Sequence, residues 1–65
     1  MGKNYAMKEA RAKAGLSQQE LADRLGVSRQ TINAIEKGEY NPTTRLCIAI
    51  CRALGKTLDE LFWEE

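Results

Sequence analysis

Two short runs near the middle of the chain repeat their apolar positions with the period of a helix. Leu21 and Leu25 stand four apart, and Ile32 and Ile35 three apart. Such spacings stack side chains on one helical face. A helix-opening signal precedes each run. Ser17 begins S-Q-Q-E, with Glu20 three residues on, which is a capping box. Ser28 begins S-R-Q-T eleven residues later. Gly26 falls where the first of these helices must stop, because glycine takes a left-handed C-cap at little cost. Val27 closes the corner, and Ala22 stands beside Leu21 where a longer side chain would hold two backbones apart. Two short helices on a tight turn, over about residues 17–37, have the outline of a helix-turn-helix.

The flanking segments add three more helices. Tyr5 to Ala14 reads as the first, ended by Gly15, with Met7, Ala10 and Ala14 turned inward. Ahead of it, Met1–Asn4 is short and polar, either frayed or paired as a strand with the C-terminal end. Gly38-Glu39-Tyr40-Asn41-Pro42 is a loop, since Pro42 pushes Asn41 out of the helical region. Thr43 or Thr44 then caps a helix running to Leu54 and stopping at Gly55. Its inner stripe is Thr44, Cys47, Ile50, Cys51 and Leu54, with Leu46 and Ala53 to one side. Thr57 and Glu60 form a third capping box, opening a short last helix with Leu58 and Leu61. Phe62 and Trp63 end the ordered part. The expectation is an all-α, compact five-helix bundle, one domain over residues 1–65, without repeats or linkers.

Projected at 3.6 residues per turn, Gln30, Asn33 and Lys37 point away from the Ile32/Ile35 stripe, and Arg29 lies on the flank near the helix start. That outward face carries hydrogen-bond donors and acceptors and no acid. It is the kind of face a duplex groove takes. Arginine can fork onto guanine O6 and N7, and glutamine or asparagine onto adenine N6 and N7.

The run GLSQQELADRLGVSRQTINAIEKGEYNP resembles the Cro/phage-repressor type of helix-turn-helix regulator, often called XRE-like. The similarity covers Met7 to Phe62, and Ala22, Gly26, Ile32 and Ile35, followed by Glu36 and Gly38, are its most specific part. The resemblance implies a lambda-repressor-like domain whose third helix lies in the major groove of double-stranded DNA. By the same resemblance, Ser28, Arg29, Gln30 and Asn33 match base-reading positions. Ser17 and Gln18, with the free N–H groups at the start of the second helix, match one phosphate anchor. Lys37, Tyr40, Asn41, Thr43 and Arg45 match a second. Arg11 matches an arginine that pairs with the glutamate matched by Glu36. Two departures stand out. Ala10 replaces a larger aliphatic residue, and Thr44-Arg45 replaces the more usual Leu-Glu, making that edge more basic.

Net charge is +1, a low value for a DNA partner, but its distribution is uneven. Residues 1–57 hold all ten Lys and Arg with five acids, a net of +5, and residues 58–65 hold four acids. A basic body and an acidic tail place the tail away from phosphates. Sixty-five residues bury only roughly 60% of their unfolded surface, so help from a second copy is expected. Leu46, Leu58, Leu61, Phe62 and Trp63 form the expected homodimer interface, since large aromatics ending so small a domain suit an interface core. Two such copies would read half-sites of a palindromic operator about 34 Å apart.

Cys47 and Cys51 are four apart, but with no histidine and no second cysteine pair they read as small hydrophobes rather than metal ligands. No cofactor, metal or small-molecule ligand is indicated. The lack of an apolar run of about 20 residues and of a signal peptide makes a cytoplasmic, membrane-free protein the expectation. The leading reading is a dimeric transcriptional repressor. The alternatives are the antitoxin of a toxin pair, against which no disordered extension is seen, and an interaction module without DNA binding, which would show acids on the third helix. An enzyme has no support from paired inward carboxylates or an activated thiol.

Overall fold

The computed structural model describes residues 4–62. Five helices follow one another: α1 Tyr5–Lys13, α2 Gln18–Leu25, α3 Arg29–Lys37, α4 Thr44–Leu54 and α5 Leu58–Phe62. The capping signals hold in atomic detail. Ser17 Oγ accepts from the Glu20 amide, and Glu20 Oε1 accepts from the Ser17 amide at 2.8 Å. Thr57 and Glu60 repeat that box ahead of α5. Thr43, not Thr44, caps α4.

These boxes carry a pH dependence. The Ser17 backbone N–H, and then its hydroxyl, hold the Glu20 carboxyl below its ordinary value of 4.5. The Thr57 backbone N–H does the same for Glu60. A carboxylate held low stabilises the fold at pH values above its unfolded pKa, and that contribution disappears as pH falls through the folded value. Thermal midpoints are therefore expected to fall below about pH 4.5. In a Glu20→Gln/Glu60→Gln variant, whose amides still accept from the caps, part of that fall is expected to vanish. An acid profile identical to the parent's would remove the boxes as its cause.

The turn between α2 and α3 depends on Gly26, which sits at φ +71°. The next amide, Val27, then bonds back to Ala22 O at 3.1 Å, closing the end of α2. A Cβ added at Gly26 would meet no heavy atom within 4 Å. The cost of Gly26→Ala is thus purely one of backbone conformation, about 1–2 kcal/mol. Thermal melting should show a drop of about 4–8 °C per kcal/mol lost. No drop would mean the turn has another way to close.

The core takes one fully buried large side chain from each of four helices: Met7, Leu21, Ile32 and Ile50. Ala10, Leu16, Ala22, Ile35, Cys51, Leu54 and Leu61 complete it, with Leu25, Val27, Leu46, Ala53 and Phe62 packed around them. Three expectations need correcting. Ala14 is exposed, because α1 ends at Lys13 and Gly15 turns the chain so that buried Leu16 takes the inward place. Thr44 is exposed at the first turn of α4. Leu61 belongs to the core of this chain, only 5% exposed, rather than to the exposed face expected of an interface residue.

Asn4 is the cap of α1 rather than part of a strand. Its Oδ1 accepts from the Met7 amide, its amide donates to Glu36 O, and its Nδ2 donates to Leu61 O at 2.9 Å. One side chain thereby ties α1 to α5 across 57 positions of sequence. No strand occurs among the described residues.

Candidate nucleic-acid interface

The apolar underside of α3 is pinned by Ile32 and Ile35, leaving Arg29, Gln30 and Lys37 exposed and Asn33 half-buried at the rim. The acid of this helix, Glu36, is turned inward and only 6% exposed. Arg11 answers it: Nε reaches Glu36 Oε2 at 2.7 Å and Nη2 reaches Oε1 at 3.3 Å. A third guanidinium bond goes to Leu16 O at 2.8 Å. Both charges are largely out of water, 13% and 4% exposed at the side chain. The outward face of α3 therefore keeps its basic and amide groups while its carboxylate is neutralised beneath.

The helix starts supply further donors. With Ser17 Oγ on the Glu20 amide and Leu21 N on Ser17 O, the amides of Gln18 and Gln19 remain without intrahelical partners. Ser17 is exposed, and its hydroxyl hydrogen is not needed for the cap. Ser28 caps α3 through the Thr31 amide at 3.2 Å and shares a hydrogen with the Thr31 hydroxyl at 2.9 Å. Its side chain thus first orients the helix start. Thr31, half-buried beside it, was not marked by sequence pattern. Tyr40, Asn41, Thr43 and Arg45 are exposed along the loop after α3 and the start of α4, and Tyr40 is 45% exposed.

Gln18, expected on a phosphate, also bonds within the fold. Its Nε2 lies 3.1 Å from both Asn33 Oδ1 and Glu36 Oε1, joining the first residue of α2 to the middle of α3. Of the expected interface between copies, Leu58 is 42% exposed, while Leu46 and Phe62 are half-buried against the core. Trp63 lies outside the described residues. Ile48, 38% exposed on α4, adds an apolar position that the helical pattern did not single out.

Burial pushes the thiols of Cys47 and Cys51 up, so both stay protonated at neutral pH. No group of three metal-ligating side chains occurs among the described residues. No helix among them is long and apolar enough to cross a membrane.

A turn-linked pair of helices, the second with its polar face bare and its apolar face clamped, defines a helix-turn-helix DNA-binding fold. The helix-turn-helix family model matches residues 7–61. This chain belongs to that family of transcriptional regulators, in its Cro/phage-repressor (XRE) branch. It is 46% identical over 59 residues to the uncharacterized HTH-type transcriptional regulator YgzD of Bacillus subtilis, covering 91% of this chain and 89% of that one. An uncharacterized HTH-type transcriptional regulator of Methanothermobacter thermautotrophicus is 49% identical over 57 residues, covering 86% and 83%. Among solved structures, the restriction-modification controller protein C.AhdI from Aeromonas hydrophila superposes with a TM-score of 0.83. It is 30% identical, with 91% of this chain and 89% of that one covered. The clp gene regulator ClgR from C. glutamicum gives 0.79 at 29% identity, covering 85% and 70%.

Proposed function

We propose that this protein is a homodimeric repressor that reads a palindromic operator with α3 in the major groove. The observation that carries the reading is the exposed, acid-free face of Arg29, Gln30 and Lys37, with half-buried Asn33 at its rim, on a helix whose other side is fixed in the core. Arg29, Gln30 and Asn33 meet base edges, each good pair giving about 1–3 kcal/mol of discrimination. Ser28 holds the start of α3 in register and turns the free amides after it toward the duplex. Ser17 and the unpartnered amides of α2 receive one phosphate, because a helix N-terminus is partly positive. Lys37, Tyr40, Asn41, Thr43 and Arg45 hold the backbone further along.

One such module spans too few base pairs to be selective in a genome. A second copy, joined through Leu46, Leu58 and Phe62, would place two recognition helices about 34 Å apart. Sedimentation that finds only monomer at tens of micromolar would defeat this part.

Selection of bound duplexes from a random pool tests the whole. Arg29→Ala is expected to relax preference at one base pair, by about 1–3 kcal/mol. Lys37→Ala or Arg45→Ala is expected to weaken all sequences alike and to lower the slope of log affinity against log salt by about one. If Arg29→Ala weakens every duplex equally, the base-reading role is wrong.

A further inference from the structure

Cys47 and Cys51 play no part in the groove reading, yet they stand four apart on the inner stripe of α4 and both thiols are free. Side chains at that spacing stack on one helical face, with Cβ atoms about 5–6 Å apart. The two sulfurs are close enough for Cys47 to be among the groups that push the Cys51 thiol up. Cys51 belongs to the apolar core and is 5% exposed. Cys47 is half-buried, and its thiol makes a long contact of 3.9 Å to Pro42 O. No hydrogen bond of the Cys51 sulfur accompanies it among the described residues.

This spacing separates two chemistries. A disulfide needs Cβ atoms about 3.5–4.5 Å apart, closer than an intact helix holds them. An ion between the sulfurs bridges the longer gap, since two metal–sulfur bonds in line, each about 2.3 Å, span about 4.6 Å. Ligands four apart on one helix hold a metal in the same way in the H-E-x-x-H helix. The surroundings then decide the charge. Two thiolates bring two negative charges into the core, near the Glu60 carboxylate. A monovalent ion would leave one of them buried without a partner, which is costly, and a divalent ion leaves none. Zinc collects four ligands, and no group of three metal-ligating side chains occurs among the described residues. Two thiolates alone suit a soft ion satisfied by two bonds.

We propose that Cys47 and Cys51 form a two-thiolate site for a soft divalent ion of linear coordination, of which the mercuric ion is the type. Binding exchanges two S–H bonds for two metal–sulfur bonds, and both protons leave to solvent. The product is neutral, as its apolar surroundings require. Cys47, the more exposed of the two, is the point of entry, and Cys51 closes the ring. The hydrogen that Cys47 gives to Pro42 O is lost in that step, one residue ahead of the Thr43 cap of α4. Burial holds both thiols protonated at neutral pH, so affinity rises with pH as fewer protons need displacing.

The reduced full chain, with mercuric chloride as probe and a monothiol as competitor, provides the test. A chelate resists a monothiol that strips an ion from a single sulfur, because its second sulfur is held at high effective concentration. The parent should bind one ion per chain and release two protons. Half-removal of that ion should take on the order of a hundredfold more monothiol than Cys47→Ser or Cys51→Ser requires. Cys47→Ala/Ala49→Cys keeps two thiols but sets them two apart, where helical side chains do not face each other. It should yield its ion as readily as the single variants. Position 47 is half-buried, so its substitution spares the fold. Two ions per chain, one ion shared by two chains, or a Cys47→Ala/Ala49→Cys variant as retentive as the parent overturns the proposal. So does zinc held by the parent as firmly as mercury, which would call for ligands this site does not have.

Discussion

Arg11→Met is expected to remove a third or more of the protein's stability. The substitution removes three bonds and abandons the Glu36 carboxylate, 4% exposed at the side chain, without a counter-charge. Breaking a buried pair from one side costs about 3–5 kcal/mol, mostly from the stranded ion. Domains hold about 0.05–0.15 kcal/mol per residue, so a chain of 65 residues has only about 3–10 kcal/mol to lose. Replacing both partners, as Arg11→Met/Glu36→Leu, is expected to recover most of the stability, because no uncompensated charge remains. Urea denaturation of the two variants beside the parent decides the matter. If the single variant loses less than about 1 kcal/mol, the pair is no more than a surface contact.

Ile32→Ala carries the second large effect. Ile32 is fully buried beneath the outward face of α3. Truncating it removes buried methyl groups and leaves a cavity that neighbouring helices fill only in part, for about 2–5 kcal/mol. The thermal midpoint should fall by about 10 °C or more in a domain of this size. Ile32→Val should cost only about 0.5–1.5 kcal/mol. Leu58→Ala, at a position 42% exposed, should stay within about 0.5 kcal/mol of the parent in the monomer. Because Ile32 and Ile35 hold the polar face outward, the Ile32→Ala variant should also lose DNA affinity in proportion to its unfolded fraction at the assay temperature. Equal melting of the alanine and valine variants would mean that this site repacks freely.

What was legible in the chain is what is local. Ser17 with Glu20, Gly26, and the Ile32/Ile35 spacing act within one helical turn, so residue order alone exposes them, and all three stand as expected. The Arg11–Glu36 pair, 25 positions apart, came from family resemblance rather than from pattern. Asn4 carried an overlooked signal, since asparagine ahead of a helix is a favoured cap. Its bond to Leu61 O, however, joins opposite ends of the chain and has no periodic trace. Leu61 reads equally as core or as interface on a helical wheel, and only the packing of α5 separates the two. The phosphate role expected of Gln18 follows from a helix start's attraction for anions, whereas its bonds to Asn33 and Glu36 are set by tertiary neighbours that residue order does not display. Ala14 and Thr44 fit the spacing but lie beyond the points where their helices bury anything, and termini are where a periodic reading is weakest.

The four fully buried side chains, one each from α1, α2, α3 and α4, bear on how this molecule comes apart. None of these four helices can peel off without opening the centre it shares with the other three. Slowly exchanging backbone amides in all four helices should therefore report one common opening free energy, that of global denaturation. On that expectation, α3 loosens only together with α1, α2 and α4.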